Sequence, residues 1–251
     1  MLLVSDVHGE YDALAEVAAS GEPLLVLGDL LNFVDYRTME GLLADVAGVD
    51  FVREVAALRT EGRFAAAAEV WRDFAVGRED EIRDRYDELI EGEYRKVVAA
   101  LGGAECYVTY GNVDRPRMLR DALEPGPARF VDAEVVEIEG LRVGFAGGGI
   151  RNLGVPGEVS EEGLAEKLRS LGEVDVLCTH VAPAVRQLSH DVIGGRPKQS
   201  QAVLDYLLEF RPPFHYFGDI HQPQAVLWRV GDTVCRNVGY FRATKRPVRH
   251  R

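Results

Sequence analysis

Ser5-Asp6-Val7-His8-Gly9 follows the apolar run Met1-Leu2-Leu3-Val4. The run reads as a short buried strand. A strand points alternate side chains the same way, so Asp6 and His8 are placed to face one point just past its end. In open α/β sheets, ligands bind outside the carboxyl ends of the strands. A carboxylate and an imidazole aimed there suit a metal ion. A charged strand end that merely turns the chain fits the same five residues, and the rest of the sequence must decide between the two.

The pattern recurs. Tyr11 to Ser20 keeps the apolar spacing of a short helix, closed by Gly21. Leu24-Leu25-Val26-Leu27 is a second apolar run, and it ends in Gly28-Asp29. Strand, helix and strand in this order predict a parallel pair with its loops on one edge. Glu105 to Tyr110 ends in Gly111-Asn112-Val113-Asp114, and Arg115-Pro116 opens a helix. Val174 to Cys178 ends in Thr179-His180, and Phe214 to Phe217 ends in Gly218-Asp219-Ile220-His221. Helices are expected over 161–171 and 199–210. Hairpins are expected around Gly140 and around Gly231-Asp232. Gly147-Gly148-Gly149 lacks the Gly-Lys-Ser/Thr of a phosphate loop and reads as a place where backbone approaches the site.

Between Pro23 and Pro116 there is no proline, and the apolar spacing is helical. Three helices, 38–59, 62–77 and 79–101, are expected to form an inserted lobe over 36–103 within a single domain spanning 1–251. The lobe is scaffold, lid or dimer surface; a homo-oligomer would form through it.

With 251 residues, 47% of them hydrophobic, the chain can bury a sizeable core. No apolar run approaches the roughly 20 residues of a membrane helix. The first residues lack the basic region and cleavage pattern of a secretory signal, so the expected location is the cytoplasm. Cys106, Cys178 and Cys235 are far apart and read as small buried hydrophobes. The net charge of −12 argues against general nucleic-acid binding. The basic tail Arg242 to Arg251 reads as a solvated terminus.

Five apolar strands therefore end in nitrogen or oxygen donors: Asp6 and His8, Asp29, Asn112, His180, and Asp219 with His221. A core needs none of them. Such donors suit Mn, Fe, Zn or Mg. They outnumber what one ion takes, which favours two divalent ions sharing a carboxylate.

In this order Asp6-Val7-His8, Gly28-Asp29, Gly111-Asn112-Val113-Asp114, Thr179-His180 and Gly218-Asp219-Ile220-His221 resemble the motifs of the calcineurin-like metallophosphoesterases. The resemblance implies a four-layer α/β/β/α sandwich and a phosphoesterase acting on a small phosphoester. By position, Asp6, His8 and His221 would hold one metal, Asp29 would bridge, and Asn112, His180 and Asp219 would hold the other. Asp29, Asn112 and His180 would also serve catalysis, by way of a hydroxide bridging two metals, manganese before iron, zinc or magnesium.

Two positions depart from the family pattern. Val113 replaces a histidine that helps the leaving group, which predicts a preference for good leaving groups, or a substitute acid such as His190 or His215. Asp219 replaces a metal-binding histidine. A third carboxylate removes positive charge from the site, which favours a monoanionic phosphodiester over a dianionic monoester. The stretch 186–200 offers substrate contacts in Arg186, His190 and Arg196, beside Asn112, or else is a solvated loop. The competing class is a weak or inactive member of the fold that holds a partner.

Overall fold

A computed structural model describes residues 1–152, 154–193 and 197–250. Its strands are β1 (Leu2–Val4), β2 (Leu24–Leu27), β3 (Cys106–Thr109), β4 (Arg129–Phe130), β5 (Glu134–Ile138), β6 (Leu141–Ala146), β7 (Gly149–Ile150), β8 (Glu158–Val159), β9 (Val176–Thr179), β10 (Phe214–Phe217), β11 (Leu227–Val230), β12 (Thr233–Asn237) and β13 (Val248–Arg249). Its helices are α1 (Tyr11–Ala18), α2 (Leu42–Ala47), α3 (Val49–Thr60), α4 (Phe64–Ala75), α5 (Glu79–Leu101), α6 (Pro116–Leu123), α7 (Glu161–Leu171), α8 (Arg186–Ser189), α9 (Gln201–Phe210) and α10 (Phe241–Thr244).

The chain divides into two compact units, Met1–Leu30 with Lys96–Arg251, and Leu31–Arg95. The first unit holds two sheets. One runs β13-β1-β2-β3-β4, parallel except for β13. The other runs β11-β12-β10-β9-β6-β5, with a parallel centre and an antiparallel strand at each edge. Strand alternation sorts the side chains into layers. Leu3, Leu25, Leu27 and Tyr107 of the first sheet form one core with Val143, Phe145, Val176 and Cys178 of the second. Leu177 and Phe217 point the other way, onto Leu164 and Leu168 of α7 and Val203 and Leu207 of α9. Every residue of β2 and β3 is buried, as expected of strands covered on both faces. The architecture is the α/β sandwich expected, and strands β1, β2, β3, β9 and β10 all deliver their carboxyl ends to one edge.

The second unit is helical. Phe51, Trp71 and Phe74 pack together, with ring centroids 4.8–5.9 Å apart, and tie α3 to α4. The single helix expected over 38–59 is two. Gly48, at φ 89°, lies outside the helical region and parts α2 from α3.

The basic tail is also different from its expected form. Rather than a solvated end, it is α10 followed by β13, which pairs with β1 through Leu2–Arg249 and Leu3–Val248. The backbone amides of Phe241 and Arg242 donate to the Ser5 and Asp6 carbonyls at 3.0 Å. A free edge of β1 would otherwise leave backbone groups unpaired. Among the described residues, no helix is long and apolar enough to cross a membrane.

Candidate metal centre

After β1, β2 and β10 the strand breaks off by a sharp turn that carries the next side chain toward the common edge. Asp6, His8, Asp29 and Asp219 sit at φ 58°, 44°, 54° and 63°. Non-glycine residues visit this left-handed region at a cost of roughly 1–2 kcal/mol each. Four such residues at one spot mark backbone held for a purpose other than stability.

Glycines make the crowding possible. A Cβ at Gly111 would fall on the Asp29 carboxylate and 2.6 Å from His180 Cε1. A Cβ at Gly218 would strike Ser5 and lie 2.6 Å from Asp6 Oδ2. A Cβ at Gly149 would lie 2.5 Å from the Asn112 Cβ, so the Gly147–Gly149 run does allow close approach.

Seven side chains meet here. His8 Nε2 is 3.3 Å from His221 Nε2 and 3.9 Å from Asp6 Oδ1, and His221 Nε2 is 3.2 Å from the same oxygen. His180 Nε2 is 3.5 Å from Asp29 Oδ1, 3.3 Å from Asn112 Oδ1 and 4.0 Å from Asp219 Oδ1. His8 Nε2 also lies 3.8 Å from Asp29 Oδ2, so Asp29 faces both clusters. Two triads have donor atoms mutually within 4.8 Å: Asp6, His8 and His221, and Asp6, Asp29 and His180. Asp6, Asp29, His180 and Asp219 are buried, and His8 is nearly so.

The electrostatics point to a cation. Burial works to raise the Asp6 carboxyl, but the hydrogen bond and charge of His221 outweigh it and hold it below the usual range. Asp29 is likewise lowered, burial being overcome by His180 and His8. Burial works to lower His180, yet Asp29, Asp219 and Asp6 push it up to about 10. Acids this deep in the protein gather positive charge wherever it is offered. The donor set fits divalent metal ions: carboxylate, imidazole and amide oxygen, converging without a disulfide or thiolate. His180 Nδ1 is 2.8 Å from the Leu27 carbonyl, to which it donates, leaving Nε2 aimed inward.

A buried acid organises the second cluster. Asp114 accepts from the backbone N–H of Asp29 at 2.8 Å, Gly111 at 2.9 Å and Leu30 at 3.1 Å. Burial and the charge of Asp29 push its carboxyl up to about 7. The Val113 N–H donates to Asp29 Oδ1 at 3.1 Å. Asp114 stands in the Gly-Asn-x-Asp motif, but nothing in the sequence assigned it this task.

Arg186 opens α8, and the His190 amide donates to its carbonyl at 3.1 Å. Arg196 lies outside the described residues. His215 is not a substitute acid: it is buried beside Thr179 Oγ1 at 2.9 Å, and burial drives it down to about 3. Cys178 faces the core between the sheets, not the edge, and burial raises its thiol. From the stretch 186–200 Lys198 reaches the cluster, donating to Asp219 Oδ1 at 2.5 Å. The Tyr240 ring stacks on His221 at 4.0 Å and 5°. Neither contact has a signal in sequence spacing.

Among the curated proteins, none matches the sequence. One solved structure superposes with a TM-score of 0.59 at 16% identity, over 96% of this chain and 90% of that one. The TT1561 protein of Thermus thermophilus superposes with a TM-score of 0.56 at 12% identity, over 98% of this chain and 96% of that one. These two likenesses are of fold. The model of the calcineurin-like phosphoesterases matches residues 1–223, which include all seven side chains at the edge. The chain belongs to the calcineurin-like phosphoesterase family.

Proposed function

We propose that this chain hydrolyses a phosphoester, a phosphodiester in preference to a monoester, with two divalent metal ions, manganese first among them. The observation that carries the reading is the convergence of Asp6, His8 and His221 beside Asp29 and His180, where the carboxyl ends of strands from both sheets meet. Asp6, His8 and His221 would hold one ion, Asp29 would be shared, and Asn112, His180 and Asp219 would hold the other. When bound, such ions act as Lewis acids on the phosphoryl group and lower the pKa of water.

The chain's own groups then have definite tasks. Asp114 fixes the backbone of Asp29 and Leu30, and the Val113 amide fixes the Asp29 carboxylate. Leu27 sets which nitrogen of His180 faces inward. Val113 offers no proton to a departing alcohol, a service worth roughly 10²–10⁴-fold in rate. Good leaving groups should therefore be favoured. The third carboxylate, Asp219, disfavours the second negative charge of a monoester. Lys198 offsets this only in part, because its side chain is half exposed and its charge is shared with water. The diester preference is accordingly modest.

The test is turnover of bis-p-nitrophenyl phosphate and of p-nitrophenyl phosphate, with and without Mn²⁺, beside Asp29→Ala. Manganese-dependent turnover that vanishes in the variant, with the higher kcat/KM on the diester, is the expected result. Turnover in Asp29→Ala equal to the native chain would refute the site. A higher kcat/KM on the monoester would refute the substrate class alone.

A further inference from the structure

We infer that Lys198 competes with a divalent cation for the Asp219 carboxylate, so the chain fills its second cation position less tightly than its first. This rests on the metal reading proposed above.

The Lys198 side chain starts from a fixed base. Its own amide donates to the Ser189 carbonyl at 3.1 Å. Two residues on, the Ser200 amide donates to the Ala182 carbonyl at 2.9 Å, and the Ser200 hydroxyl caps α9 by accepting from Val203. From there Nζ reaches Asp219 twice, at 2.5 Å to Oδ1 and 3.2 Å to the carbonyl. Oδ1 is also the oxygen 4.0 Å from His180 Nε2, hence the one turned toward the second cluster. An ammonium and a metal ion cannot both take the inward face of that oxygen.

The exchange is built to be possible. The Asp219 side chain is 4% exposed and cannot turn to water, whereas that of Lys198 is 50% exposed and can. A lysine is a compact charge on a flexible stem, so it can withdraw without moving backbone. At the first cluster's carboxylate the contacts are of another kind. Asp6 accepts from the Asp219 amide at 3.2 Å, which is compatible with a bound cation, and it meets the His221 ring at 3.2 Å through Nε2, which on losing its proton becomes a ligand to the same cation, whereas the Lys198 ammonium can only leave. The two positions should therefore fill in sequence, the second only when the cation outbids Lys198.

The experiment is calorimetric titration of the chelator-treated full chain with Mn²⁺ alone, for the native protein, Lys198→Met and Lys198→Arg. The native isotherm should show two steps. Lys198→Met should tighten the second about tenfold, the lower end of what a hydrogen bond between charged groups contributes, and leave the first unchanged. Lys198→Arg, which keeps the charge, should stay near native. One ion bound by the native chain and two by Lys198→Met would support the inference equally. Unchanged affinities in Lys198→Met, equal shifts in both steps, or tightening in Lys198→Arg to match would overturn it. If the native chain binds no manganese, the metal reading itself fails and the inference falls with it.

Discussion

Replacing Gly111 with alanine isolates what the close packing at the sheet edge accomplishes. The backbone there does not need glycine's left-handed freedom, so the substitution adds a methyl group and nothing else. That methyl would fall on Asp29 Oδ1, 2.6 Å from His180 Cε1 and 2.7 Å from the Asp29 amide nitrogen. Ordinary contact begins at 3.4 Å, so the backbone must yield by about 0.7 Å and the imidazole by about 0.8 Å. Overpacking a close-fitted interior costs about 1–3 kcal/mol. At about 2–4 °C per kcal/mol, the expected fall in Tm is roughly 2–12 °C. The functional loss should be larger, since misplacing a reacting geometry by about 1 Å can cost 10²-fold. Gly103→Ala is the matched control, because a Cβ there meets nothing within 4 Å. The assay pairs thermal melting in chelator with manganese-dependent turnover. We expect Gly103→Ala to behave as native, and Gly111→Ala to melt lower and turn over about 30–100-fold more slowly. Gly111→Ala with native turnover would refute the view that Asp29 and His180 are held in place by this contact.

Two further outcomes are expected. Asp114→Ala orphans the backbone N–H groups of Asp29, Leu30 and Gly111 at about 1–3 kcal/mol each. Because burial of the Asp114 carboxylate is itself costly, the net loss should be about 3 kcal/mol. Urea unfolding would check this, and native stability would contradict it. In metal-free protein, His180 is pushed up to about 10 from 6.5, so it favours the fold fully below pH 6.5 and this contribution fades as pH rises through about 10. Asp6 and Asp29 are lowered from 3.8, so theirs is present above that pH and lost below it. Melting in chelator from about pH 6 to about pH 10 should decline for the native chain and stay flatter for His180→Asn. An equal decline in both would remove His180 from the cause.

Much of this was readable in the residues. An apolar run that stops in an aspartate or histidine states where a strand ends and what it presents, and five runs did so. The seven converging side chains were all named on that basis together with the family resemblance. Lys198 stood only as one residue of the 186–200 stretch and not as a partner of Asp219, because its reach depends on how Pro183, Ser189 and Ser200 pin a loop with no period of its own. In the sequence Asp114 is only the last residue of the strand end Gly111-Asn112-Val113-Asp114. Only its burial and three backbone donors show that it supports its neighbours rather than a cation. The break at Gly48 was hidden by an apolar spacing that continues across it. The tail was misread because charge dominates it, while Phe241 and Val248 supply the anchoring.

The way α10 and β13 close on β1 bears on how the protein comes to exist at all. The Arg242 guanidinium donates to the His8 carbonyl at 2.9 Å, across 234 positions of sequence, and His221 meets Asp6 across 215. Contacts this distant form late and slow folding, because the intervening chain must be ordered before they are rewarded. During synthesis the Asp6–His8 turn would wait, open, until residues 219–249 emerged. On the metal reading proposed above, the first cation position would be complete only when folding is, and an ion captured there before residue 221 emerged would be held by Asp6, His8 and Asp29 without His221.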